Sequence, residues 1–533
     1  MKTFKDKLFV AGVTGLVVLA VAGERPAARY APRSEPPAKV MASPQAGDPV
    51  DALRTVDAAL AKNPSDGGLL LEKGNILWSM YRTKSAMDAF AQAARDPKTA
   101  AAAQYSLGRI YFFRGWQSEG AFPGWHEEPE FRDQAMAAFR AAAAANPSWS
   151  EPQIGIGDSL LMYEQPADAL AAFERVLQLS PSAALARTGR WKALNALNRA
   201  DAVKTDVAAS AKSDDAGQLA AAREGYRLLG QDADAEAVAA QILERFPVSA
   251  AAAQIEAARI AAARQAKQYP AVIEQATAYA LRFASSPHAT AVQDALIEAY
   301  VATPSTDPQV ILDAVKARIT MRPDPATYMA GANALATRNA LLDDVIRLAE
   351  ASIPAAETFI NENIGSYKMS GKVQGSLGRS RASATDMVGW AYFLKKDLEK
   401  AGPKLEEAER LSRGLDMTNQ FHLAELARSR GDLEGAREHY LSELTLQGPP
   451  PLAAAGKKAL ADVYQRLGNA PADFDTYLKD ELDRRHEARK TALVQSMVDR
   501  KVPEMKLTDV SGNAVDVAAL RGRVLLLNFF SSW

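Results

Sequence analysis

The sequence predicts a mostly all-α chain: a solenoid of stacked helical hairpins, followed by the first strands of an α/β domain. Three observations predict it. From about Val50 to Tyr477 the text is alanine-rich, with apolar residues at helical spacing and breaks at Pro, Gly or Asn-Pro. Within that stretch one pattern of Gly, Ala, Phe and Pro recurs at a fixed interval. Past residue 502 the text turns from helix-forming to strand-forming residues. At 533 residues the chain is too long for one compact core, which fits a repeat array.

Residues 1–22 read as a signal peptide. Lys2, Lys5 and Lys7 precede an uncharged apolar run from Leu8 to Ala22, which ends on the small-x-small site Ala20-Val21-Ala22. That run is shorter than the roughly 20 residues of a spanning helix. Cleavage after Ala22 and an uncleaved membrane anchor both remain open, and either places the rest in the periplasm or otherwise outside the cytoplasm, anchored to the inner membrane only in the second case. Residues 23–49, rich in Pro, Ala and Ser, read as a linker without a core. The chain contains no cysteine, so it has neither disulfide nor thiol nucleophile. A net charge of −1 without a long basic run excludes the electrostatic footprint of a nucleic-acid binder.

Residues 50–480 form the predicted solenoid. "GDSLLMYEQPADALAAFERVLQLSP" contains Gly157, Ala169, Phe173 and Pro181, and Ala135, Phe139 and Pro147 lie 34 residues before the last three. Gly74, Ala86, Phe90 and Pro97 give a third match. This spacing resembles the tetratricopeptide (TPR) repeat, a pair of helices A and B. The small residues let A and B approach, Phe173 fills the gap to the next hairpin, and Pro181 ends helix B. Weaker matches retain Gly225 and Ala237; Gly389, Tyr392, Ala401 and Leu405; Ala424, Ala436 and Tyr440; and Ala461 and Tyr464. The expectation is about ten hairpins, with helix pairs of undefined type from about Ala250 to Pro354. The resemblance implies a protein or peptide partner bound by the solenoid.

Two interruptions stand out. "RGWQSEGAFPGWHEEPEFR" places Trp116, Phe122, Trp125 and Phe131 between the helices of the second unit. Trp116, Phe122 and Trp125 are the binding candidates, either contacting a partner peptide or packing onto their own solenoid. "YKMSGKVQGSLGRSRAS", Tyr367 to Ser383, lacks the preceding strand and Gly-Lys-Ser/Thr of a phosphate loop and reads as a flexible loop. His126, His288, His422, His439 and His486 form no ligand cluster and read as helix-surface or loop residues. No nucleophile elbow or dinucleotide fingerprint is present. The sequence therefore offers no catalytic, metal or cofactor-binding residue.

Residues 481–502 read as a charged helical connector, and residues 503–533 change character. Met505 to Thr508 and Val515 to Val517 read as short strands around a turn, and Val524 to Phe530 as a longer buried strand. Pro503, Leu507, Asp509, Gly512, Leu520, Gly522, Asn528, Phe529 and Trp533 resemble the opening of a thioredoxin-like domain of the TlpA/redoxin group. In that family Cys-x-x-Cys follows the Trp directly, and the first Cys attacks a substrate disulfide while the second resolves it. An uncovered run of Leu525, Leu526, Leu527, Phe529 and Phe530 would forgo roughly 1.5–3 kcal/mol per side chain. The expectation is a chain cut short before its active site. The resemblance implies an exported thiol-disulfide oxidoreductase or redoxin relative fused behind a TPR scaffold. The rival readings are a non-catalytic periplasmic TPR adaptor, whose last strand a partner completes, and the product of a degraded gene.

Overall fold

A computed structural model describes residues 48–116, 130–363, 370–446, 449–496, 507–508 and 514–515. A first helix, α1 (Pro49–Leu60), precedes a run of antiparallel hairpins. These are α2 (Gly67–Ser79) with α3 (Thr83–Ala93), α4 (Ala100–Trp116) with α5 (Glu130–Ala145), α6 (Ser150–Met162) with α7 (Pro166–Leu179), and α8 (Ala184–Ala196) with α9 (Ala200–Ser210). There follow α10 (Ala216–Leu228) with α11 (Asp232–Arg245), α12 (Ala250–Gln265) with α13 (Tyr269–Arg282), and α14 (Ala289–Ala302) with α15 (Pro308–Met321). The rest are α16 (Pro325–Thr337) with α17 (Leu342–Asn363), α18 (Ser370–Leu394) with α19 (Leu398–Ser412), α20 (Met417–Ser429) with α21 (Leu433–Thr445), and α22 (Pro450–Arg466) with α23 (Phe474–Gln495). The described residues thus hold eleven hairpins where the sequence suggested about ten.

Backbone chemistry sets the hairpin turns. Helix A ends on a left-handed residue, as at Tyr81, Glu164, Asn198, Gly230, Lys267, Lys396 and Gly431. The next amide then reaches back five residues, as in Arg82 N to Leu77 O and Gln165 N to Leu160 O, both 2.9 Å. This closes the orphan carbonyls of helix A and reverses the chain in very few residues. Several A helices start on a side-chain cap: Asp66 on α2, Asp215 on α10, Ser249 on α12 and Asp416 on α20.

The B helices share one buried register. Each of the first ten buries three side chains, the second and third lying four and seven positions after the first. The triplets are Ala86-Phe90-Ala93, Ala135-Phe139-Ala142, Ala169-Phe173-Val176, Val203-Val207-Ser210 and Ala235-Ala239-Ile242. They continue as Val272-Ala276-Tyr279, Ile311-Val315-Arg318, Val345-Ala349-Ser352, Ala401-Leu405-Ala408 and Ala436-Tyr440-Glu443. The middle stretch of undefined type therefore has the same register as the rest.

The middle residue of each triplet is a knob, and where it is Phe90, Phe139, Phe173, Val207, Val315 or Leu405 glycine on an A helix makes its hole. A methyl group on Gly157 would lie 2.7 Å from the Phe173 ring, and Gly189 of the next hairpin is pressed against the same ring. Phe139 sits likewise between Gly108 and Gly155, at 2.6 and 2.8 Å from where their side chains would begin. Gly74 faces Phe90, Gly331 faces Val315 and Gly389 faces Leu405. One aromatic thus locks its own hairpin and the following one. The core is a chain of linked clusters rather than a single centre.

Two expectations need correction. Ser370–Leu394 is helical although part of it was read as a flexible loop. Its second half buries Ala382, Ala384, Met387, Val388 and Ala391, and that packing overrides the poor helix propensity of Gly375 and Gly378. Helix α17 runs through Pro354 to Asn363; its buried face continues to Ala356 and Ile360 and outweighs the one backbone bond a proline removes. Helix α23 crosses the expected boundary between residues 480 and 481 without a break.

Strands β1 (Leu507–Thr508) and β2 (Ala514–Val515) pair antiparallel, Leu507 with Val515 and Thr508 with Ala514. They fall where a short hairpin was expected. The expected strand from Val524 to Phe530 and residues 1–47 lie outside the described residues.

Replacing the Phe173 knob should be costly. We expect Phe173→Ala to lose about 3–5 kcal/mol locally and to raise amide exchange across α6, α7 and α8 together. Exchange confined to α7 would contradict the shared lock.

Candidate interaction surface

The A helices of successive hairpins touch one another, α4 to α6, α6 to α8, α8 to α10 and α12 to α14, whereas the B helices reach mainly A helices. Helices that touch across repeats lie on the short-radius side of a curved stack. The A helices therefore line the inner face and the B helices form the outer one. On the inner side, Tyr105 and Arg109 of α4 meet Glu151 and Asp158 of α6. Burial pushes the Tyr105 hydroxyl up from its ordinary value, against the opposing pull of Arg109. On the outer side an open groove of roughly 530 Å³ runs over α6 between α5 and α7, with Arg140, Gln153, Asp168 and Arg175 on its walls.

The solenoid also touches itself. The turn from α2 into α3 meets the ends of α15 and α17, so the first hairpin contacts the eighth. Helix α3 has no side-chain cap of its own. Glu362 supplies one from 277 residues away: its carboxylate accepts from the Ser85 amide at 2.8 Å and from the Ser85 hydroxyl at 2.6 Å. Thr83 donates to Asn363 at 2.5 Å, and Arg82 lies 3.6 Å from Glu362. Arg322 covers the Tyr81 ring at 4.1 Å, and burial lowers its affinity for its proton. A carboxylate over the positive end of a helix is favourable, and here it also closes a turn of the superhelix.

Aromatic side chains gather beside this clasp. Trp78 lies against Tyr81 at 6.0 Å and edge-on to Phe113 at 5.6 Å. Tyr111 stacks on Phe131 at 5.4 Å, and Arg114 sits 4.5 Å above the same ring. Trp116 is the last residue of α4, and its side chain lies outside the described set together with the whole of Phe122 and Trp125. The three binding candidates therefore lie outside what the structure describes. Phe131 packs onto its own solenoid.

A buried polar group in the ninth and tenth hairpins was not foreseen. Asp386 of α18 accepts from Asn419 at 2.9 Å and lies 2.9 Å from the ring nitrogen Nδ1 of His422, both on α20. The His422 ring stacks on Trp390 at 4.0 Å. His422 is 6% exposed, so it is a core residue, not the surface histidine its isolation in the sequence suggested. The interior position follows from the carboxylate, amide and indole that satisfy it. His439 bonds to Gln420 at 2.9 Å, and burial lowers its affinity for a proton. Near the outer groove, burial and a hydrogen bond to Asp133 push the Tyr163 hydroxyl up to about 12.

Among the described residues no group of three His, Cys, Asp or Glu is placed to hold a metal ion. No described helix is long and apolar enough to cross a membrane. What the arrangement can do is present a long inner surface of side chains to another chain.

No family model and no curated protein matches the sequence. Among solved structures, the chain is similar to one in the APC/C hetero-tetramer Cut9-Hcn1, 11% identical over 74% of this chain and 76% of that one, with a TM-score of 0.28. It is also similar to a chain in the structure of Naa15/Naa10 bound to HypK-THB, 12% identical over 83% of this chain and 98% of that one, with a TM-score of 0.24. Scores of this size carry no argument about fold or function. The description of the solenoid rests on its own glycine and knob contacts.

Removing the remote cap tests the clasp. We expect Glu362→Ala to lower stability by about 1–2 kcal/mol, to speed exchange at the Ser85 amide and to enlarge the radius of gyration in solution scattering. An unchanged Ser85 amide would show that the clasp is not formed.

Proposed function

We propose that the chain is an exported scaffold that binds a protein or peptide partner along the inner face of its helical solenoid. The observation that carries this reading is the lining of that face by successive A helices, which provides an extended surface. Nucleic acid, metal and cofactor have no part in it. Export rests on the charged, apolar and small-residue sequence of residues 1–22.

In this reading, residues 503–533 open a thioredoxin-like domain of the TlpA/redoxin group, and the solenoid positions a partner for thiol-disulfide exchange. The support is the resemblance of Pro503 to Trp533 to that family's opening pattern. A second reading is a non-catalytic periplasmic adaptor that binds protein partners through the same solenoid.

Two experiments separate the possibilities. Photo-crosslinking residues placed at Arg109 and Asp158 should trap a defined protein partner in cells, while those at the outer positions Arg140 and Arg175 should not. Equal trapping from both faces would overturn the inner-face reading. The gene should read Cys-x-x-Cys directly after codon 533; a stop codon there would remove the oxidoreductase reading and leave the adaptor.

A further inference from the structure

The third position of the B-helix triplet is small or apolar in most hairpins, as at Ala93, Ala142, Val176, Ile242 and Ala408. Arg318 occupies it in α15, where Asp294 lies 2.6 Å away. In α21 it is Glu443, fully buried, and neither carboxylate oxygen has a hydrogen-bond partner. The side chain is pressed against Gly456 of α22, where a methyl group would collide with it. A buried carboxyl without a partner is tolerated as the neutral acid and opposed as the anion.

We propose that Glu443 makes the seating of the last hairpin, α22 with α23, on α21 sensitive to pH. The seated state holds a proton on Glu443; unseating exposes the carboxyl and releases that proton to water. The charged groups with partners among the described residues of the packed elements hold those partners away from Glu443. On α20, Glu425 holds Arg428 and Tyr440, His422 faces Asp386, and Arg430 donates to Leu398 O. On α22, Lys457 pairs with Asp475 and Asp462 with Arg466; on α23, Arg485 holds Glu438 and Glu481. On α21 itself, Arg437 pairs with Glu434 and Glu438, while His439 bonds to Gln420.

Burial raises the Glu443 carboxyl from 4.5 to about 7. Seating is therefore strongest below the first value and weakens as pH rises towards the second, by at most about tenfold per pH unit. Above both values it is level.

The test is amide exchange of the full chain at pH 5 and pH 8, corrected for intrinsic rates. Wild type should show faster opening of α22 and α23, relative to α16, at pH 8. Glu443→Gln should flatten the response, and His439→Gln should retain it. A wild type with no response, a response that persists in Glu443→Gln, or one that vanishes in His439→Gln would each overturn the proposal.

Discussion

The fold depends on a bulky side chain seated against a residue that has none. Phe173 lies between Gly157 and Gly189, and Phe139 between Gly108 and Gly155. A hairpin with such a knob cannot bury it alone, because half of the hole belongs to the next hairpin. Folding and stacking are therefore one event at each junction, and the order of the stack follows the order of the chain. The stack is also asymmetric, since the A helices of successive hairpins touch whereas the B helices reach mainly A helices. That asymmetry creates the inner surface on which the functional reading rests.

The clasp adds a constraint that nearest-neighbour packing does not supply. A stack held only between neighbours can flex and fray at any junction. By capping α3 from the end of α17, Glu362 ties the first hairpin to the eighth and gives that turn a fixed closure. The hairpins after α17 stand outside it. They include the buried Asp386, Asn419 and His422 group and the buried Glu443.

The register was legible where the knobs are aromatic. Phe90, Phe139 and Phe173, with their glycines and prolines, predict three hairpins correctly. The middle was harder because its knobs are small: Ala239, Ala276 and Ala349 do not stand out in an alanine-rich text. The i, i+4, i+7 spacing extends through them and would have carried the assignment. Ser370–Leu394 was misread because glycine and serine suggest a loop, whereas the apolar face beginning at Ala382 decides the structure. The contact of Glu362 with Ser85 could not be read from sequence, since it depends on the summed curvature of seven junctions. His422 was read as a surface residue because its partner Asp386 is 36 residues away. Glu443 does carry a signal: it is the acidic residue at a position the register reserves for buried side chains.

The central claim is that the knob and its glycines are one interaction shared by two hairpins. A double-mutant cycle on Gly189→Ala and Phe173→Leu tests it, with stability read from exchange of the α8 amides. Each single change should destabilise, and the smaller side chain in the double mutant should recover part of the loss, with a coupling of about 0.5–3 kcal/mol. Strictly additive losses would contradict the claim, because they would mean that Phe173 and Gly189 do not meet.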